Sequence, residues 1–296
     1  MEITFLGTSG MQPTRERNLS AILLSYKNEN ILFDCGEGTQ RQLRLAGLKP
    51  TKITRIVISH LHGDHIFGLP GLMQNLEVNN YSGVIEIYGP KGIKEFFNFL
   101  FRLGVFKKLK YKITEIKEGL IIKNKDFMIR AYRLDHYGLC YGYEFVEMDR
   151  RKINLDYLKK FGLKQHPILG KLQEGKSIIW KGKRIDVKNA TYLIKGKKVA
   201  FILDTAYCSN CLKLAKDADL LISESTFMDD LRDRAKEYKH LTSKQAALIA
   251  KKSKSKRLIL THFSQRYKNT SELLKEAKSV FKNTECAEDF MKVEVL

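Results

Sequence analysis

The run His60-Leu61-His62-Gly63-Asp64-His65, directly after the apolar stretch Ile56-Val57-Ile58-Ser59, constrains this chain more than any other feature. Three imidazoles and a carboxylate within six positions repel one another when the rings are protonated, and they are costly to bury without partners. They are also the donors that zinc prefers. His60 and His62 stand two apart on an extended segment, so both can face one way. Asp64 and His65 can then turn toward a second ion. Four residues cannot fill two coordination spheres. That need draws in His136, His240 and His262, together with Asp204, which follows the apolar run Val199–Leu203. Taken singly, each reads as an ordinary hydrogen-bonded histidine or a turn carboxylate; only the cluster lifts them.

Composition narrows the class. At 296 residues the chain has room for one large or two medium domains with a sizeable core. No apolar stretch approaches the roughly 20 residues of a membrane span. Met1–Gly7 reads as a strand and turn, not as a signal peptide, which places the chain in the cytosol. Five cysteines, odd in number and widely spaced, argue against a disulfide framework. Cys208-Ser209-Asn210-Cys211 has no second CxxC to complete a four-ligand site, so it reads as two ordinary thiols at a helix start.

Lys and Arg number 53 against 33 Asp and Glu, a formal net charge of +20. Such a field attracts polyanions and gains from counterion release. A Lys-rich surface balanced by glutamates is the plain alternative, but it does not account for the imbalance.

Hydrophobic patterning is α/β throughout. Strand-like runs include Ile3–Leu6, Ala21–Tyr26, Asn30–Asp34, Arg55–Ser59, Val84–Tyr88, Lys112–Glu115, Phe127–Leu134 and Tyr141–Val146. Later ones are Ala190–Lys195, Lys197–Leu203, Leu220–Ser223 and Arg257–Thr261. Helical signals cover Thr39–Ala46, the residues after Asp64, Lys91–Leu103, Cys211–Ala218, Thr242–Lys252 and Ser271–Phe281, with a capping box at Thr242-Ser243-Lys244-Gln245. His60, Asp204 and His262 each follow a strand. The expectation is two packed sheets with helices outside and metals at one edge. Glu147 to about Lys176 breaks the regularity, with eight Lys or Arg against four Asp or Glu, interleaved with aromatics and glycines. It reads equally as a phosphate-contacting segment or as an amphipathic helix and turn.

The motif HLHGDH with its later His, Asp and His resembles the metallo-β-lactamase superfamily, which implies an αββα sandwich and bound metals. Asp34-Cys35-Gly36-Glu37-Gly38-Thr39-Gln40 closely resembles a stretch typical of the ribonuclease Z (tRNase Z) family of tRNA 3′-processing endonucleases. Pro13-Thr14-Arg15-Glu16-Arg17-Asn18 resembles that family's PxKxRN loop, with Arg15 in place of Lys. Glu224-Ser225-Thr226 and His240-Leu241-Thr242 resemble its HEAT and HST motifs, with Ser223, Ser225 and Leu241 replacing His, Ala and Ser. The basic segment 147–176 matches the position of the family's flexible arm, or exosite, and His166-Pro167 stands where the arm has Gly-Pro.

That resemblance implies one metallo-β-lactamase domain over residues 1–296 with an inserted tRNA-binding arm at 147–176. It implies two zinc ions per subunit, with manganese or iron as alternatives. His60, His62 and His136 would hold one ion, Asp64, His65 and His262 the other, and Asp204 would bridge them. Asp64 would orient or deprotonate water, and His240, positioned by Glu224, would act as general acid. Arg15, Arg17, Gly162, Pro167, Gly170 and Lys171 would bind substrate. The implied partner is precursor tRNA, for a homodimer not attached to a membrane. A small-molecule phosphodiesterase or thioesterase on the same fold is the alternative, but it has no need of +20 charge or a basic arm. A catalytically inert zinc-stabilised RNA binder is argued against by seven ligands where a structural site closes with four. A β-CASP nuclease needs a further large domain.

Overall fold

Ile31-Leu32-Phe33 and Ala200-Phe201-Ile202 are buried at every position, not at alternate ones. Strands of that kind need cover on both faces. The computed structural model, which describes residues 1–296, supplies it with two facing sheets and helices on their outer sides. In chain order the strands of the two large sheets are β1 (Glu2–Gly7), β2 (Ala21–Tyr26), β3 (Glu29–Phe33), β4 (Arg55–Val57), β5 (Ile85–Gly89), β6 (Tyr111–Glu115) and β7 (Gly119–Lys123). They continue as β8 (Phe127–Leu134), β9 (Cys140–Glu147), β10 (Lys198–Ile202), β11 (Leu220–Glu224), β12 (Leu258–Thr261), β13 (Thr284–Cys286) and β14 (Lys292–Glu294).

The first sheet runs β14-β1-β2-β3-β4-β5-β6 and the second β13-β12-β11-β10-β9-β8-β7. Strands β3 to β6 are parallel to one another, and so are β10 to β13. Between the sheets Phe33 stacks on Phe201 with ring centroids 4.0 Å apart, and Tyr26 meets Phe145 edge-on at 5.4 Å. Outside the first sheet, Leu6, Leu23, Leu32 and Ile56 pack with Leu43, Leu72 and Phe97 of the helices. Outside the second, Ala200, Ile202, Leu221 and Leu258 pack with Leu214, Ala246, Ile249 and Leu273. This is the αββα layering expected from the sequence.

The chain forms two compact units. The first comprises Met1–Lys123, Ile129–Phe145 and Lys198–Leu296; the second comprises Asn124–Met128 and Val146–Lys197. The second has its own small core of Leu158, Leu163, Leu172, Ile178, Ile185 and Ala190. Its strands pair as Arg150–Ile153 with Thr191–Ile194, and as Ile178–Trp180 with Lys183–Ile185. The basic segment 147–176 lies inside this unit, which continues to Lys197. No helix is long and apolar enough to cross a membrane.

Candidate metal centre

Parallel strands deliver their C-terminal ends to one edge of a sheet, where side chains from different strands meet. Here β3 ends one residue before Asp34, β4 leads into Ser59-His60, β10 into Asp204, and β12 into His262. The registers Ile202↔Ser223 and Glu224↔Thr261 bring Asp204, Glu224 and His262 to a common level. His136 follows β8 in the turn to β9. Two of these positions have left-handed backbone, Asp34 at φ 56° and His262 at φ 58°, a conformation costing about 1–3 kcal/mol that persists only where its surroundings enforce it. Gly10 makes room for the second: a Cβ there would lie 2.5 Å from His262 Cε1.

All seven expected ligands converge, in two groups that share Asp204. Donor atoms of His60, His62, His136 and Asp204 lie within 4.8 Å of one another, as do those of Asp64, His65, Asp204 and His262. The two oxygens of Asp204 divide between them. Oδ2 is 3.7 Å from His60 Nε2 and 3.8 Å from His136 Nε2. Oδ1 is 3.4 Å from His65 Nε2 and 3.1 Å from His262 Nε2. Asp64 Oδ2 lies 3.2 Å from His65 Nε2 and 3.5 Å from His262 Nε2, and it accepts from the Met11 N–H at 2.8 Å.

Four of the imidazoles are held from behind. Nδ1 of His60 meets Ser59 Oγ at 2.9 Å, and that of His65 meets Asp34 Oδ2 at 2.6 Å. Nδ1 of His136 donates to the Lys239 carbonyl at 2.9 Å, and that of His262 meets Thr226 Oγ1 at 3.0 Å. Outer partners of this kind fix ring orientation and tautomer for a metal on the other nitrogen. Correspondingly, Nε2 of His60, His65 and His262 and Oδ1 of Asp204 are buried without a hydrogen-bond partner. Orphaned buried donors and acceptors are costly. Four of them converging on one point fit bound cations. Asp34, Ser59 and Thr226 are the members of this site to which residue-by-residue reading gave no role; Asp34 and Thr226 stand in the Asp34–Gln40 and Glu224–Thr226 stretches, and Ser59 ends the apolar run before His60.

Charge among the cluster's own side chains is strongly polarised. Burial, with the neighbouring His65, drives the His60 imidazole well below its ordinary range. Burial pulls His65 the same way, but Asp64, Asp204 and Asp34 outweigh it and hold the ring protonated well above that range. Asp204 is likewise kept ionised despite its burial, by His262 and His65.

His240 stands beside the ligands. Its Nδ1 is 3.0 and 3.2 Å from the two oxygens of the fully buried Glu224 and 3.3 Å from Thr226 Oγ1. Burial lowers its pKa, but the Glu224 carboxylate outweighs that and raises it to about 9. Glu224 is anchored in turn by the Thr205 N–H at 2.7 Å and the Thr226 hydroxyl at 2.6 Å.

The expected substrate residues are more scattered. Arg15 is exposed, whereas Arg17 is buried, with Nη2 donating to the Tyr267 carbonyl at 2.6 Å. In the second unit Gly162, Pro167 and Lys171 are exposed and Gly170 is half-buried.

The chain matches the family model of the β-lactamase superfamily domain over residues 161–263, and that of the anti-Pycsar protein Apyc1 over residues 1–124. It is 41% identical to the ribonuclease Z of Methanothermobacter thermautotrophicus, with 100% of this chain and 97% of the relative covered. It is 40% identical to the ribonuclease Z of Archaeoglobus fulgidus, with 99% and 97% covered. Among solved structures it is similar to human tRNase Z, short form, at 32% identity and a TM-score of 0.74, covering 100% of both chains. The fold and the His/Asp donor set together make the cluster a divalent-metal centre. The chain belongs to the ribonuclease Z family and has its metallo-β-lactamase fold.

Proposed function

We propose that this protein is a two-zinc endoribonuclease. It removes the 3′ trailer of precursor tRNA by one cut after the discriminator base, leaving a 3′-hydroxyl on the tRNA and a 5′-phosphate on the trailer. The observation that carries the reading is the division of the Asp204 oxygens between two donor groups. His60, His62 and His136 with Asp204 would hold one ion, and Asp64, His65 and His262 with Asp204 the other. Such ions, when bound, neutralise charge on the scissile phosphate and lower the pKa of water to about 7.

The chain's own residues handle the protons. Asp64, its carboxylate steadied by the Met11 N–H, takes one from the attacking water. His240, kept protonated by Glu224, gives one to the departing 3′-oxygen as the P–O bond breaks. Arg15 meets the RNA backbone, and Arg17 braces its loop from beneath through Tyr267. The second unit acts as the tRNA-binding arm: Val146–Lys197 carries fourteen Lys or Arg against five Asp or Glu, a charge that favours phosphate. Gly162, Pro167, Gly170 and Lys171 are its contact points. The protein works as a cytoplasmic homodimer in this reading.

Stripping the protein with a chelator and titrating zinc back tests the two-ion assignment. Cleavage of a 3′-extended precursor should return and saturate at two equivalents per chain. Saturation at one equivalent, or full activity in the stripped protein, overturns it.

A further inference from the structure

Strand β10 leads through Asp204 into the helix Ser209–Ala215 and back, in parallel, into β11. Cys208 caps that helix with extended backbone, at φ −137° and ψ 164°, and Cys211 lies one turn on. Their sulfurs approach to 3.5 Å, and the Cys211 N–H donates to the Cys208 carbonyl at 3.2 Å. Cys208 is half-buried and Cys211 is buried. Neither belongs to either metal group. Spacing alone reads as two ordinary thiols; the approach of the sulfurs changes that reading.

We propose that Cys208 and Cys211 form a reversible thiol–disulfide site, in which Cys208 reacts with a peroxide and Cys211 resolves the product. The pair has the asymmetry this chemistry requires. A hydrogen bond from the Cys211 thiol, against partial burial, brings the Cys208 pKa down to about 5, while Cys211 is raised well above the ordinary thiol range by the same partner and by burial. The other thiols are protonated by burial: Cys35 is pushed up to about 12, Cys286 to about 11, and Cys140 well above its usual range. In the first step the Cys208 thiolate attacks one oxygen of hydrogen peroxide. The O–O bond breaks, a sulfenic acid forms, and the departing hydroxide takes up a proton. The Cys211 sulfur then attacks the Cys208 sulfur, the S–O bond breaks, and water leaves with the Cys211 proton. Two thiols lose two electrons and one peroxide becomes two waters.

The full-length protein, treated with hydrogen peroxide at neutral pH and then alkylated, gives the test by peptide mass. The peptide spanning Cys208 and Cys211 should lose two hydrogens and resist alkylation, and dithiothreitol should restore both thiols. In Cys211→Ser, Cys208 should stop at a sulfenic acid that dimedone traps. The wild-type measurement decides the matter without the variant. Two alkylatable thiols remaining under conditions that oxidise free glutathione, or Cys208 carried to sulfinic acid with Cys211 free, would overturn the proposal. The outcome does not depend on the RNA-processing reading.

Discussion

Asp34 Oδ2 lies 2.6 Å from His65 Nδ1 and also accepts from Ser59 Oγ at 2.7 Å, and that same hydroxyl meets His60 Nδ1 at 2.9 Å. One buried carboxylate therefore orients an imidazole in each metal group, one directly and one through a hydroxyl. Asp34→Asn breaks the charge relation to both rings. Metal affinity should fall about 10–100-fold, the usual effect of losing an outer partner. Competition with a chromogenic chelator measures it, and an unchanged affinity contradicts the role.

Glu224→Gln bears on pH. His240 must be protonated to act as an acid, so cleavage is lost as pH rises through its pKa, raised to about 9 by Glu224 against the effect of burial. Without the carboxylate, the largest opposition to burial is gone and that pKa falls, although Asp204 still raises it. The alkaline limb of the kcat profile should move to lower pH. A limb that stays in place would mean that another group donates the proton.

Much of this site was legible in the sequence because histidine is rare and its ligands follow apolar strands; all seven expected ligands meet. Asp34 and Thr226 were not, because a carboxylate after a strand or a hydroxyl before a loop reads as turn chemistry until its partner, 31 or 36 residues away, is seen. Edge strands β13 and β14, three residues each, are too short for periodicity to register. The helical signal after Asp64 is present as two helices, Gly63–Ile66 and Leu69–Val78, a division the signal alone did not give; Pro70 sits in the first turn of the second, where proline is tolerated. Strand pairing within the second unit was hidden by charge, since Arg150-Arg151-Lys152 reads as a basic patch while forming a ladder with Tyr192–Ile194.

Phe33→Ala should test the packing between the sheets. Phe33 is fully buried and stacked on Phe201. Its loss should cost about 3–5 kcal/mol, the range for a large aromatic removed from a core. Urea denaturation of the metal-free protein gives the value, and a cost under about 1 kcal/mol would place the ring outside the close-packed core.

Charge reversal in the second unit, at Arg150, Lys164 and Lys171, should separate binding from chemistry. Precursor tRNA cleavage should fall at least tenfold through KM, with a weaker salt dependence. Hydrolysis of bis(p-nitrophenyl) phosphate should be unchanged. Equal loss of both activities counts against the unit as a tRNA-binding arm.

Cleavage of a 3′-extended precursor tRNA by the metal-loaded wild type and by His65→Ala, with both product ends mapped, tests the account most directly. A single cut just after the discriminator base, with a 3′-hydroxyl and a 5′-phosphate, should appear in the wild type and vanish in the variant. Cutting that ignores tRNA structure, or that survives in His65→Ala, would contradict it.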